Sequence, residues 1–345
     1  MWGRAIKLLD EAHQVAPARV VLAWKQGLIF SHAAGEAGPD TVFDLASLTK
    51  PLATSLLLLT STLPWQTTLA DIWPDTPLDK AAITIRQLLT HSSGLPAYCP
   101  YYRILLQHPV EKRAALCQEL IFKQPLEYAS GSRALYSDLG FLLLGFILEK
   151  QGNKPLDKMF QEITARLKIS SGLGYRPLDG QLTDVSNIAV CGSMPELRRF
   201  RIQGQVEDEN AYALNGVAGH AGLFGRAATV RDLLQKAFGA GQAGNLYAVE
   251  RWQMLSSRDH GAPASTRTAG FDTPEENAVS SAGKGFPQGL VGHLGFTGVS
   301  FWYQPLKDMG IVLLTNRVAL GRDNWNIREF RFQLHSLLWP LLRAA

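Results

Sequence analysis

The chain has 345 residues, of which 46% are hydrophobic and 19% charged, and its formal net charge is +4 at pH 7. This length accommodates one or two closely packed domains, the composition excludes wholesale disorder, and the mild charge does not call for a nucleic-acid partner. Three cysteines, Cys99, Cys117 and Cys191, show no metal-ligand spacing. We therefore expect no disulfide framework, no metal site and no cofactor.

The N-terminal segment lacks the apolar run of a secretory signal, because Asp10, Glu11, His13 and Gln14 interrupt it. The longest apolar run, around 52–59, is too short to span a bilayer. These two features predict a cytoplasmic protein with no membrane partner.

The first two thirds of the chain read as a hairpin followed by helices. Residues 18–34 are predicted to form two short strands around Gln26 and Gly27. Residues 138–150 are apolar nearly all round, which indicates a buried helix. Further helices are predicted at 48–62, 84–91 and 109–122.

The C-terminal part changes character. Three consecutive strands are predicted at 288–294, 298–304 and 310–315, and 257–289 is expected to be a long surface loop because it is rich in Gly, Ser, Pro and Asn. A final helix is predicted from an apolar face formed by Phe330, Leu334, Leu337, Leu338 and Leu341.

Strands at both ends with helices between them favour a sheet built from both termini and a mainly helical insertion. We place the α/β part at 1–60 and 285–345 and the helical part at 61–284.

The first candidate catalytic motif is Ser47-Leu48-Thr49-Lys50. A serine hydroxyl is a poor nucleophile until a base takes its proton. If Ser47 is the N-cap of the following helix, its backbone N–H faces a developing oxyanion, and Lys50 lies on the same helix face. The spacing alone is weak evidence, since it recurs at Ser281 and Lys284, where no apolar helix follows.

Two further motifs follow along the chain. Tyr136 stands two residues before Asp138, and a phenol beside a cation can act as a base or a proton shuttle. Small residues surround the motif His293-Leu294-Gly295-Phe296 between two predicted strands, and the Phe296 N–H is a candidate second oxyanion donor. Each motif alone is also compatible with a purely structural role.

Together the three motifs resemble those of the serine β-lactamase and penicillin-binding-protein superfamily: SxxK, Tyr-x-Asn, and Lys-Thr-Gly or His-x-Gly, in that order. The flanking segments resemble the class C-like branch, which includes family VIII carboxylesterases and D-alanyl-D-alanine carboxypeptidase-like proteins. The resemblance covers about residues 18–342 and rests on ITIRQLLTHSSGLP (83–96), YSDLGFLLLG (136–145), NGVAGHAGLF (215–224) and GHLGFTGVSFW (292–302).

This resemblance implies an α/β, β-lactamase/transpeptidase-like fold: an antiparallel sheet from both termini flanked by helices, a mainly helical domain, and the site between them. Ser47 would form an acyl-enzyme, and Lys50 and Tyr136 would move its proton. The N–H groups of Ser47 and Phe296 would hold the oxyanion. The other substrate-binding positions implied are Asp138, His293, Leu294 and Gly295.

Two departures from the pattern shift the expected substrate. Asp138 replaces the usual Asn, and a carboxylate there favours a charged Lys50, so Tyr136 becomes the better candidate base. Leu294 offers no hydrogen bond, and His293 is largely neutral near pH 7. We therefore expect an esterase or amidase rather than an efficient β-lactamase.

Three other features receive structural interpretations. Glu207 stands where related hydrolases have a histidine, so the acidic segment 205–211 is assigned no catalytic role. The arginine-rich stretch 198–201 is expected to be a solvated face, paired with residues 207–209. His220 is expected to be a buried structural histidine.

Competing functions remain open at this stage. A cytoplasmic DD-carboxypeptidase or muropeptide hydrolase, a weak β-lactamase, and a non-catalytic binding protein on the same fold all fit the motifs. The expected partner is a small ester, an amide or a wall-derived peptide. No Gly-x-Ser-x-Gly elbow, P-loop or dinucleotide fingerprint occurs.

Overall fold

The fold is centred on a five-stranded antiparallel sheet that both ends of the chain build. The computed structural model describes residues 2–179, 185–197, 199–239, 256–258, 261–275 and 280–344. The strand order is β2-β1-β10-β9-β8, and these strands are Ala18–Lys25 (β1), Leu28–Gly35 (β2), Val291–Leu294 (β8), Ser300–Gln304 (β9) and Met309–Thr315 (β10). The predicted mixed α/β fold with a sheet from both termini is confirmed.

Smaller sheets join the helical part to this framework. The order in one is β3-β7-β4, and the other pairs β5 with β6. The strands are Phe43–Asp44 (β3), Leu173–Tyr175 (β4), Gly192–Met194 (β5), Arg199–Ile202 (β6) and Leu223–Gly225 (β7).

The predicted hairpin forms between β1 and β2, with Trp24 opposite Ile29 and Lys25 opposite Leu28. Its two turn residues have positive φ, 46° at Gln26 and 93° at Gly27. Two consecutive residues of positive φ are typical of a type I′ turn, whose twist matches that of the strands.

The helices cover both faces of the large sheet. Two of the short helices begin with a capping box, and the longer helices are amphipathic or buried. They are Gly3–Glu11 (α1), Leu56–Thr60 (α2), Leu69–Ile72 (α3), Leu78–Ala81 (α4), Ile85–Leu89 (α5), Tyr102–Leu105 (α6), Val110–Lys123 (α7), Asp138–Gly152 (α8), Leu156–Arg166 (α9), Glu209–Ala213 (α10), Ala227–Phe238 (α11) and Ile327–Ala344 (α12). No helix in these described ranges is both long and apolar enough to cross a bilayer.

Two apolar cores lie on opposite faces of the sheet because side chains alternate along each strand. Val20, Leu22 and Trp24 of β1 pack with the helical part. Val21 and Ala23 face the other way, against the terminal helices α1 and α12. Helix α8 is buried in the first core, as its uniformly apolar sequence predicts.

The expectation of a surface loop at 257–289 is wrong in part. Thr268, Ala269 and Phe271 are buried. Asp272 exchanges two backbone hydrogen bonds, of 2.7 and 2.9 Å, with Gly292 of β8. The segment 266–273 therefore extends the edge of the large sheet, while 259–260 and 276–279 lie outside the described residues.

Candidate active site

A cleft of about 850 Å³ opens between the β8 edge of the large sheet and the helical part. Its lining brings together motifs that lie far apart in the sequence. It includes Ser47, Tyr136, Asp138, His293, Leu294, Gly295 and Phe296. All the predicted site residues line this cleft except Lys50, which lies buried beneath Ser47.

Ser47 is the middle residue of a 3₁₀ turn, Ala46–Leu48, that leads into the helical stretch 49–60. The expectation that Ser47 is a helix N-cap is therefore wrong, because Ser47 lies inside the turn. The N-cap of this turn is Leu45, and the Asp44 Oδ1 accepts a 2.8 Å hydrogen bond from the Ala46 N–H. Ala46 has a φ of +46°, a left-handed conformation that non-glycine residues adopt only under constraint.

Lys50 lies on the next turn and is fully buried. Its Nζ lies 2.9 Å from Ser47 Oγ, 2.7 Å from Asp138 Oδ1 and 3.3 Å from the carbonyl oxygen of His220. Burial alone would lower the pKa of Lys50, but the Asp138 carboxylate, with Tyr136, outweighs it and raises that pKa above its usual value. Lys50 is therefore an ammonium that holds its proton at neutral pH, as expected from Asp138.

Tyr136 completes the group around the Ser47 hydroxyl. The Lys50 Nζ lies 4.7 Å from the centre of the Tyr136 ring, close enough for the Lys50 charge to act on the phenol. Burial raises the pKa of the Tyr136 phenol, although the Lys50 ammonium opposes that shift. Tyr136 is therefore a neutral phenol in the resting site, able to accept and donate at once.

Histidine rings hold Tyr136 in place from two sides. The His91 ring is tilted by 36° against the Tyr136 ring, with 4.6 Å between ring centres, and the His293 ring is tilted by 41°, with 5.8 Å between centres. Both histidines are buried, and burial together with nearby cations lowers their pKa well below 6.5. The lowered pKa makes the His293 ring neutral at pH 7. Its proton is on Nδ1, because Nδ1 donates to the Leu294 carbonyl oxygen at 2.7 Å.

The end of β8 packs directly on the Ser47 turn. A Cβ on Gly295 would lie 3.0 Å from the Leu45 carbonyl oxygen and 3.3 Å from the Ala46 Cβ, so only glycine allows this approach. Neither the Ser47 N–H nor the Phe296 N–H donates to another described residue. Two unused backbone donors therefore border the cleft beside the Ser47 hydroxyl.

An acidic wall with its own counter-charges faces the β8 edge. Arg322 pairs with Glu209 at 2.5 Å and with Glu207 at 3.5 Å, and Asp208 lies 2.9 Å from Nε2 of the buried His220. The expectation of a solvated face is wrong for Arg199 of the arginine-rich stretch. Arg199 is buried and bonds the Val206 carbonyl oxygen, and residue 198 lies outside the described residues.

Sequence reasoning missed several residues of the cleft. Arg267 lies 5.1 Å from the centre of the Tyr136 ring and belongs to the segment expected to be a surface loop. Arg331 of α12 also lines the cleft but is buried. Lys284, by contrast, lies 5.7 Å from the centre of the Phe332 ring, and no hydrogen bond joins it to Ser281 within the described residues. This is consistent with a chance recurrence of the SxxK spacing.

The family description Beta-lactamase matches this sequence over residues 4–333. The chain belongs to the beta-lactamase family. Its expected identity as a serine hydrolase of this family is thereby confirmed.

Relatives whose names describe other activities are similar to most of this chain. An Escherichia coli (strain K12) protein named "Putative D-alanyl-D-alanine carboxypeptidase" is 31% identical, over 85% of this chain and 74% of that protein. An N-acetylmuramyl-L-alanine amidase of Bacillus subtilis (strain 168) is also 31% identical, over 84% and 72%. The solved structure of EstCE1, a hydrolase with promiscuous acyltransferase activity, shares the fold, with a TM-score of 0.72, 23% identity and 98% of each chain covered.

Glu207 gives a pH-dependent prediction. Burial, with smaller contributions from neighbouring carboxylates and against the opposing effect of Arg322, raises its pKa from 4.5 to about 8. The fold therefore favours the protonated acid, so the stabilisation is complete below pH 4.5 and is lost as the pH rises through 8. We expect Glu207→Gln to raise Tm relative to wild type by an amount that grows from pH 6 to pH 9.

The measurement is Tm by calorimetry across that range. Asp44, whose pKa burial raises to about 6, acts mostly below this window. Glu127→Gln, which removes an exposed carboxylate, is the matched control variant. A Glu207→Gln difference that stays constant from pH 6 to pH 9 would contradict the assignment.

Proposed function

We propose that this protein hydrolyses a carboxylic ester or amide through a covalent acyl-enzyme on Ser47. The observation that carries the proposal is the Ser47 hydroxyl, 2.9 Å from a fully buried ammonium and bordering a cleft of about 850 Å³. The Lys50 ammonium holds the Ser47 hydroxyl in place. This hydroxyl becomes a nucleophile once a neighbouring group takes the hydroxyl proton.

Tyr136 is the group that moves this proton. Lys50 is already protonated and cannot accept it. As Ser47 Oγ attacks the carbonyl carbon, its proton passes to the Tyr136 oxygen while the Tyr136 proton passes to the leaving group. This shuttle needs no free phenolate, which agrees with the raised pKa of Tyr136. Lys50 stabilises the negative charge that develops on both oxygens.

The Ser47 and Phe296 N–H groups would stabilise the carbonyl oxygen as it becomes an oxyanion. The leaving alcohol or amine departs with the proton from Tyr136, and the acyl group stays on Ser47 Oγ. Water then attacks the ester, gives its proton through Tyr136 back to Ser47, and releases the carboxylic acid. Bonds and protons balance over the two steps without a metal or cofactor.

Removal of the Ser47 hydroxyl tests the acyl-enzyme. Ser47→Ala should abolish hydrolysis of p-nitrophenyl butyrate and abolish the mass gain of the Ser47 peptide after treatment with a fluorophosphonate, because Ser47 is the serine whose Oγ hydrogen-bonds with Lys50 Nζ. Ser281→Ala, at the recurrent SxxK spacing, should keep the mass gain on the Ser47 peptide. A fluorophosphonate adduct on another residue of the wild-type protein would sink the proposal.

The Tyr136 hydroxyl gives a second test. Tyr136→Phe should lower kcat for p-nitrophenyl butyrate by about 10²- to 10⁴-fold, the usual contribution of a positioned proton-transfer group. Tyr303→Phe is the matched control, since Tyr303 is also buried but directs its hydroxyl to Asp308, outside the cleft. Steady-state kinetics decide the point, and full activity of Tyr136→Phe would rule out the shuttle.

A second candidate, a carboxypeptidase acting on wall-derived peptides, is favoured by Arg267. Its guanidinium lies over the Tyr136 ring and its ion pair with Asp272 is loose, at 3.5 Å. Arg267 lines the cleft and its side chain is partly exposed, so it can hold the terminal carboxylate of a peptide. The names of the two relatives are consistent with such a substrate. In a carboxypeptidase of this kind, Arg267 would provide the positive charge that the neutral His293 lacks.

Arg267→Gln separates the two substrate classes. We expect kcat/KM for an N-acylated D-Ala-D-Ala peptide to fall about 10- to 100-fold, as for loss of a charged hydrogen bond. The same peptide with a C-terminal amide, and p-nitrophenyl butyrate, should change less than about threefold because neither has a carboxylate. Equal losses on the acid and the amide peptide would remove Arg267 as a carboxylate-binding residue.

A further inference from the structure

A polar stripe runs along the buried face of α12. Arg331, His335 and Trp339 recur every four residues and are all buried, and each donates to a backbone carbonyl. His335 Nδ1 and Trp339 Nε1 bond the carbonyl oxygens of Ser281 and Ala282, both at 2.7 Å. Arg331 is the member of the stripe that lies under the β8–β9 turn.

Arg331 bonds that turn at two points. Its Nη2 donates to the Val299 carbonyl oxygen at 2.7 Å and to the Gly295 carbonyl oxygen at 3.2 Å. The Gly295 oxygen also accepts the Gly298 N–H at 3.0 Å. The carbonyl of Gly295 is therefore held by a cation and by a backbone donor.

The charge of Arg331 is not neutralised by an acid. Within the described residues it forms no ion pair, and its Nε has no hydrogen-bond partner. Burial, together with Arg317 and Arg328, lowers the pKa of Arg331 to about 9, so it is still a cation at pH 7. A buried cation without a counter-ion is costly for folding.

The geometry of the peptide bond connects Arg331 to the Phe296 N–H. The C=O and N–H of a planar trans peptide point in opposite directions. Holding the Gly295 oxygen on Arg331 therefore turns the Phe296 N–H away from α12, and that N–H donates to no other described residue. A cation on the carbonyl oxygen also polarises the amide and strengthens its N–H as a donor.

Arg317 braces the same turn from the other side. Its Nε donates to the Phe296 carbonyl oxygen at 2.7 Å, and its guanidinium lies 4.7 Å from the centre of the Phe296 ring. The two peptide groups that flank Phe296 are thus each fixed by a buried guanidinium.

We propose that Arg331 is a positioning residue of the hydrolytic reaction, which orients and polarises the Gly295–Phe296 peptide so that the Phe296 N–H stabilises the oxyanion. The inference rests on the proposed acyl-enzyme function. It assigns Arg331 no contact with substrate.

The test compares Arg331→Met with a matched buried arginine. Arg19 is also fully buried and donates to backbone carbonyls, those of Leu9 and Ala16, but it does not line the cleft. Arg331→Met should lower kcat/KM for p-nitrophenyl butyrate about 10- to 100-fold, somewhat less than outright removal of an oxyanion donor. Arg19→Met should lower Tm but keep kcat/KM per active site within about threefold.

A boronic acid separates positioning from folding. Its boron bonds to Ser47 Oγ as the hydroxyl proton departs, and the resulting tetrahedral anion mimics the oxyanion. Arg331→Met should lose affinity for phenylboronic acid by the same factor as it loses kcat/KM, while fluorophosphonate titration still counts one active site per chain. If Arg331→Met does not fold, Arg331→Gln, which is too short to reach Gly295, takes its place under the same criteria.

Boronate affinity within threefold of wild type, or an equal loss in Arg19→Met, would overturn the role of Arg331 and leave Ser47 as the nucleophile. Failure of the wild-type protein to gain mass at Ser47 would instead overturn the acyl-enzyme proposal itself.

Discussion

The buried ammonium of Lys50 is the constraint on which the site depends. A fully desolvated charge is tolerated only when hydrogen bonds and an opposite charge surround it. Asp138, Ser47 Oγ and the His220 carbonyl do so, with the Tyr136 ring beside them. These groups come from the Ser47 turn, from the start of α8 and from the segment before β7. The site is therefore complete only when the helical part has docked on the sheet. The position of Asp138 at the N-terminus of α8 adds a favourable dipole.

The remaining charges of the cleft follow from this arrangement. Arg322 pairs with Glu209, and Asp208 lies beside Nε2 of His220, while burial raises the pKa of Glu207 to about 8 and so favours its neutral acid at pH 7. Many polar groups of the lining thus already have partners. Among the groups that remain available to a substrate are hydrogen-bond donors. Arg267 is partly exposed to the cleft, and the N–H groups of the Ser47 turn and of Phe296 are unused by described residues. A carbonyl compound with a nearby anionic group would fit these donors, with its carbonyl oxygen at the two N–H groups and its anion at Arg267.

Much of the fold was predictable because its signals are local. The apolar run of β1, the turn residues Gln26 and Gly27 and the uniformly apolar α8 each determine their own element. The order of three motifs placed Ser47, Tyr136 and His293 together. The missed features depend on packing between distant segments. The turn that holds Ser47 begins at Ala46, whose N–H donates to the side chain of Asp44. On α12 the sequence favours an apolar face containing Leu337 and Leu341, yet these are half-buried and the Arg331–His335–Trp339 stripe is buried instead. Carbonyls of other segments, invisible in the sequence, accept its hydrogen bonds.

Arg267 shows how this limit bears on substrate. The motif at 293–295 lacks the lysine and threonine that hold a carboxylate in the pattern it resembles, which argues from sequence for an uncharged ester. That argument counts cations only inside the motif. In the fold, segment 266–273 pairs with the edge of β8 through Asp272 and Gly292, which brings Arg267 to within 5.1 Å of the Tyr136 ring centre. A guanidinium on the neighbouring strand can do for a carboxylate what a lysine in the motif would do. The absence of a lysine from the motif at 293–295 is therefore weaker evidence against a peptide substrate with a free carboxylate than the sequence alone suggests.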